Sequence, residues 1–139
     1  MTPSDAELRT LLAEAHTIAV VGLSPNPMRP SHSTSRYLQR AGYRIVPVNP
    51  GHKEVLGEKS YRTLTDAARD HAIDIVNVFR RSEHVGPIVD EAIAVRPPPK
   101  LIWLQLGVTD PAAERRAEAA GVPFVMDLCL AIEHERLRD

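Results

Sequence analysis

Five short runs constrain the fold of this chain more than any other feature: TIAVVG (17–22), YRIVPVN (43–49), DIVNVF (74–79), KLIWLQLG (100–107) and PFVMD (123–127). Each is nearly continuous in Val, Ile and Leu, as strands covered on both faces require; a sheet with one wet face would alternate. Helix-like stretches separate them. SDAELRTLLAEA comes first, with Ser4 and Glu7 at capping-box spacing and Leu8, Leu11, Leu12 and Ala15 on one stripe. SHSTSRYLQRAG starts with hydroxyl caps, Ser31 foremost, and ends at Gly42. SEHVGPIVDEAIAV takes Ser82 as its N-cap, and TDPAAERRAEAAG has Asp110 as N-cap, Pro111 at the first helical position and Gly121 just past the end. Shorter helices are expected over 63–70 and 128–137. Strand alternating with helix implies an α/β chain: three layers, with a five-stranded, mainly parallel sheet and helices on both faces. Such sheets take ligands in the crevice at the carboxyl ends of their strands.

A length of 139 residues suits one domain, over 1–139, and leaves no room for a separate substrate domain. A net charge of −1 gives no reason to expect a nucleic acid or a membrane surface as partner. The lone cysteine, Cys129, excludes an internal disulfide framework and fits a reducing, cytoplasmic setting. The N-terminal stretch lacks the basic start and long apolar run of a signal peptide.

The first strand runs into IAVVGLSPNPMRPSHSTSRYL, which starts like a phosphate-binding loop but is stiffened by Pro25, Pro27 and Pro30. A dinucleotide fingerprint needs three glycines here, and only Gly22 is present. It also needs an acidic residue after the second strand, where this chain reads VNPGHK. From Ala15 to Lys53 there is no Asp or Glu, while Arg29, Arg36, Arg40, Arg44 and Lys53 all fall inside. Arg36 and Arg40 read as solvated helix surface. Arg29 and Lys53, both in carboxyl-edge loops, are placed to converge on one polyanion. A basic, acid-free pocket suits a ligand whose ribose carries phosphate, NADP or coenzyme A.

The segments IAVVGLSPNPMRPS, GYRIVPVNPG, DIVNVFR, IWLQLGV and VMDLCLAIEHERL, in that order, resemble the small CoA-binding proteins related to the N-terminal domain of the succinyl-CoA synthetase alpha subunit. The resemblance covers almost the whole length and implies a Rossmann-like fold with a coenzyme A site in the loops after the first four strands. On that reading Gly22 permits the tight exit, and a branched side chain there blocks the ligand. Ser24 and the amides near Pro30, Ser31 and Thr34 face the pyrophosphate at a helix N-terminus. Arg29 adds a bidentate phosphate contact. Asn49 and Pro50 border the adenosine, and Lys53 reaches the ribose 3′-phosphate, His52 being surface. Val78, Phe79 and Arg80 line a wall, with at most one of Arg80 and Arg81 pointing inward. Leu106 and Gly107 close the other side. Many relatives carry proline where this chain has Leu130, so no special role passes to that turn.

Catalytic and metal sites are not expected. The six histidines show no metal-ligand spacing. The sequence pairs Asp127 with no nucleophile, Cys129 reads as an inert buried thiol, and EHE (133–135) reads as a solvated helix face. The function expected is a stand-alone binder of coenzyme A or acyl-CoA, non-catalytic or regulatory, with a protein partner or homo-oligomer compatible with the sequence. The alternatives are an NADP-dependent reductase and an interaction subunit that has lost its ligand.

Overall fold

The computed structural model describes residues 2–138. Its sheet has five strands, β1 (Thr17–Val21), β2 (Arg44–Val48), β5 (Ile75–Val78), β6 (Leu101–Leu104) and β7 (Phe124–Val125), all parallel, in the order β2-β1-β5-β6-β7. The chain leaves β1 toward β2 and later returns to the other side at β5, so the strand order reverses beside β1. A two-stranded antiparallel hairpin, β3 (Glu54–Val55) and β4 (Glu58–Lys59), follows β2.

Alternate residues of each strand feed two separate cores. Ala19, Val21, Val76, Val78, Ile102 and Leu104 pack with α3 (Leu64–Asp70), α4 (Val85–Ala94) and α5 (Pro111–Ala119). Ile18, Val20, Ile45, Ile75, Leu101 and Trp103 pack with α1 (Asp5–Glu14), α2 (Pro30–Arg40) and α6 (Leu130–Leu137). Helices on both faces explain why the strands read as unbroken apolar runs. The start of β1 is pinned by Asp74, whose carboxylate accepts the His16 and Thr17 amides at 2.8 and 3.0 Å.

The capping box of Ser4 and Glu7 and the Asp110 cap form as the spacing implies. Two expected caps do not. Ser82 begins a short 3₁₀ turn (Ser82–His84) ahead of α4, and its hydroxyl accepts from the Thr109 amide instead. Ser31 sits inside α2, after an Arg29 N-cap without a side-chain bond, and accepts from the Ser24 amide at 3.0 Å. The β3–β4 hairpin is not expected from the sequence at all. Its turn puts Leu56 and Gly57 at φ 54° and 75°, and leucine at a left-handed position hides the usual Asn-Gly signal. His134 is also not on a solvated face. It is half-buried, 2.8 Å from the Tyr37 hydroxyl through Nδ1 and edge-on to the Tyr37 and Tyr43 rings, so it ties α6 to α2.

Asn77 is fully buried on the α2–α6 face, in register with Val20 and Trp103, and neither atom of its amide has a partner among the described residues. An unsatisfied buried amide costs about 1–3 kcal/mol. Asn77→Leu, with the same branched skeleton but a larger volume, is therefore expected to raise the unfolding free energy in urea titration by at most that amount, less what the extra volume costs in repacking.

Burial, with help from Arg138 and against Glu135, lowers the His134 pKa below its usual 6.5. The unfolded chain then binds more protons than the folded one around that pH, so stability falls on acidification through the histidine range. The lowered carboxylates Asp5, Glu7 and Asp70 act only further down, below their usual 3.8 to 4.5. The melting temperature should drop as the pH falls below about 6.5, the usual histidine value, and less so in His134→Phe, which keeps the ring packing but cannot titrate.

Candidate functional site: a cleft where the strand order reverses

The loop from Gly22 to Arg29 owes its shape to bonds within itself. The Ser24 amide donates to Ser31 Oγ, the Asn26 amide to Ser24 Oγ (3.1 Å), the Met28 amide to Asn26 Oδ1 (3.0 Å), and the Arg29 amide to the Asn26 carbonyl (3.0 Å). Asn49 staples it from the neighbouring loop, donating Nδ2 to the Leu23 carbonyl at 2.9 Å while Oδ1 takes the Gly51 amide. In α2, the His32 and Ser33 amides both turn back to the Arg29 carbonyl. Few backbone donors remain for an anion, which is not the amide cradle expected from the sequence.

Positive charge comes from side chains. A cleft of ≈ 480 Å³ opens at the carboxyl edge beside the strand-order reversal, lined by Gly22, Ser24, Arg29, Pro30, Ser31, Phe79, Arg80, Arg81, Gln105, Leu106, Gly107 and Val108. Three arginines and no carboxylate face it. Among the described residues neither Arg29 nor Arg80 has an acidic partner, and Arg81 meets Glu83 only at 4.0 Å. Phe79, Leu106 and Val108 add apolar wall. This donor set fits a phosphorylated ligand with an apolar portion. A second hollow of ≈ 440 Å³ lies where α1, α2 and α6 end, lined by residues such as Leu12, Tyr43, His134 and Arg138; it is remote from the strand reversal.

The structure brings together Gly22, Ser24, Arg29, Pro30, Ser31, Phe79, Arg80, Leu106 and Gly107, and leaves four expected site residues outside the cleft lining. Val78 is fully buried in the core and presents no surface, because it is the last paired residue of β5 and the chain turns outward only at Phe79. Asn49 spends its amide on the two loops. Pro50 and Lys53 are exposed on the way to the hairpin, so the partners of Arg29 in the cleft are Arg80 and Arg81, not Lys53. Both of those arginines line it, where at most one is expected from their adjacency. Gln105 and Val108 are additions; a buried glutamine ending an apolar strand was the available signal, and its Oε1 lies 3.5 Å from the Leu130 amide.

Two further positions take on altered meanings. Asp127, at φ 62°, accepts the Gly107 amide at 2.7 Å and so anchors the β6 loop to the β7 loop. Cys129 is half-buried at the N-cap of α6 with its Sγ 3.8 Å from Thr34 Oγ1, and is not the fully buried thiol expected. Among the described residues no group of three or more His, Cys, Asp or Glu side chains is arranged to hold a metal, and no helix is long and apolar enough to cross a membrane.

The CoA binding domain family matches residues 16–135. The chain belongs to that family. It is 42% identical over 132 residues to the uncharacterized protein YneT of Bacillus subtilis strain 168, covering 95% of each chain. Among solved structures it is similar to the cell-free ID.343 protein of Thermus thermophilus (40% identity, TM-score 0.87, 98% of this chain and 100% of that one). It is also similar to a hypothetical protein of Pyrococcus horikoshii OT3 (34% identity, TM-score 0.91, 97% and 92%). The similarity runs through the whole CoA-binding fold, as the sequence resemblance implies.

Gly22 is glycine for a structural reason. At φ 87°, a Cβ there would stand 2.7 Å from the Phe79 carbonyl oxygen, so a side chain collides with backbone before it meets any ligand. Gly107 has a similar φ of 85°, but an added Cβ meets nothing within 4 Å. Gly107→Ala is expected to cost only the left-handed penalty, about 1–2 kcal/mol. Gly22→Ala should cost well above that, with about 2–4 kcal/mol in urea unfolding a fair expectation once the clash is added. Equal losses would deny the close approach of the two loops.

Proposed function

We propose that this chain is a stand-alone binding module for coenzyme A or an acyl-CoA and turns nothing over. The observation that supports it best is the charge of the cleft: three arginines without a facing carboxylate, at the crevice where sheets of this topology take nucleotides. Arg29, at the end of the β1 loop, and Arg80, in the β5 loop that meets it at Gly22, are the cations to hold the pyrophosphate, a guanidinium being able to do so bidentately. Ser24 and Ser31 set the shape of the loop. Phe79, Leu106 and Val108 offer wall to the adenine or the pantetheine arm. Lys53, beyond the cleft on the β2 side, is the cation to meet the 3′-phosphate. NAD fits less well, since no acidic side chain lines the cleft to take ribose hydroxyls.

The non-catalytic part of the proposal rests on the chemistry of the edge. Asp127 is committed to the Gly107 amide, and the side-chain neighbour of the Cys129 thiol is the Thr34 hydroxyl, which is no base. A binder of this kind supplies a partner or a regulatory response with bound coenzyme A.

Thermal shift tests the reading. A ligand that binds only the folded state adds about 2.7 kcal/mol at a hundredfold excess over its Kd. Coenzyme A should stabilise more than dephospho-CoA, and both more than NAD, while Lys53→Ala should erase the difference between the first two. Arg29→Ala and Arg80→Ala should each weaken coenzyme A binding by about 1.5–3 kcal/mol with little change in the free protein's melting temperature. No shift with coenzyme A would reject the proposal, and free thiol released from acetyl-CoA would reject its non-catalytic part.

A further inference from the structure

Among the described residues, the large apolar side chains left exposed lie at one end of the molecule. Met28, Leu106, Leu128 and Ile132 are 87, 64, 36 and 62% exposed, and all belong to the carboxyl-edge loops or to the first turn of α6 that follows them. Three of them follow one another along the β6, β7 and α6 side of this edge, starting at the cleft. Leu106 lines it, and the adjoining Gly107 amide is bonded to Asp127, next to Leu128. The Leu128 carbonyl accepts from Trp103 Nε1 at 2.8 Å, which fixes that loop against the end of β6. Ile132 lies one helical turn beyond Cys129.

The two sides of the arginines therefore differ in polarity. Toward β2 the edge presents Asn49, Pro50, Gly51, His52 and Lys53. Toward β7 it presents Leu106, Leu128 and Ile132, with the Cys129 thiol and Thr34 hydroxyl between α6 and α2. A ligand held at its pyrophosphate by Arg29 and Arg80 would have a polar, cation-bearing surface at one end and an apolar one at the other. We infer that the apolar rim from Leu106 to Ile132 seats the acyl chain of an acyl-CoA, so that this site prefers medium-chain apolar thioesters to free coenzyme A. The inference rests on the coenzyme A reading above. A few side chains fall well short of the roughly 20–30 residues per side that a stable protein interface uses, but they match a short alkyl chain. The tether adds to this, because a chain joined to a bound nucleotide loses less freedom on docking than a free one.

The test is isothermal titration with coenzyme A and with acetyl-, butyryl-, hexanoyl- and octanoyl-CoA, kept below micelle-forming concentrations. Affinity should tighten by about two- to fourfold for each added methylene beyond acetyl, up to the length of the rim. In the double variant Leu128→Ser/Ile132→Ser, coenzyme A should bind as in the wild type, while the gain with chain length largely disappears. Flat affinity from coenzyme A to octanoyl-CoA in the wild type would overturn the acyl seat and leave the coenzyme A reading standing. Binding of none of them would remove both. A flat series joined to a drop in oligomeric state in the double variant, seen by size exclusion with light scattering, would make the rim a contact between copies of this chain and overturn the inference.

Discussion

The contact on which the carboxyl edge depends is the approach of Gly22 to the Phe79 carbonyl. It brings the β1 and β5 loops together where the strand order reverses, and any side chain at its centre would force them apart. The Gly22 amide reaches back to the Val48 carbonyl and the Phe79 amide to the Val21 carbonyl, so this point joins three strands. Further bonds carry the connection outward: Gln105 amide to Val78 carbonyl, Gly107 amide to Asp127, and Thr109 amide to Ser82. The loops at this edge are thus one hydrogen-bonded rim, and side chains standing on it are held in place before a ligand arrives.

That rim changes how an anion must be held. In a glycine-rich nucleotide loop the backbone amides are free and face the phosphates. Here Ser24, Asn26 and Met28 give their amides to neighbouring side chains, and three prolines supply none. The loop gives up donors and gains a fixed shape, which lowers the entropy lost on binding. On the proposed reading the charge comes from Arg29, Arg80 and Arg81, drawn from two loops that meet at Gly22. Exposed arginines also make such binding more sensitive to salt than an amide cradle would be.

The layers of this fold were legible because burial on both faces forces a simple pattern on the strands, and the five runs cannot be rearranged without exposing Val, Ile and Leu. The location of the crevice followed from topology alone. Individual side chains were less legible. Ser31 and Ser82 have the composition of helix caps, but each hydroxyl bonds to an amide brought near by tertiary structure, 7 and 27 residues away in sequence. Lys53 and Arg29 share a charge run, but Lys53 stands outside the cleft lining at the foot of the hairpin that follows β2, and a turn with leucine at a left-handed position gives no warning of that hairpin. His134 looks solvated beside two glutamates, and only the packing of α6 on α2 shows that two tyrosines enclose it.

The buried polar side chains show where this molecule accepts a poorer core. Ser31, Thr34, Ser35, Asn77 and Gln105 are the buried polar groups of the described chain, and all fall under α2 or at the ends of β5 and β6 on the face it covers. Ser31 and Gln105 also line the cleft. The opposite face, under α3, α4 and α5, buries none of them. If stability alone shaped the core, the two faces would be equally apolar, since both are packed by three helices. The polar atoms gather instead behind the cleft, where Ser35 and Asn77 lack partners and Thr34 touches Cys129. Among the described residues these departures from good packing collect beside the cleft, which is what the proposed binding role would lead one to expect of that surface.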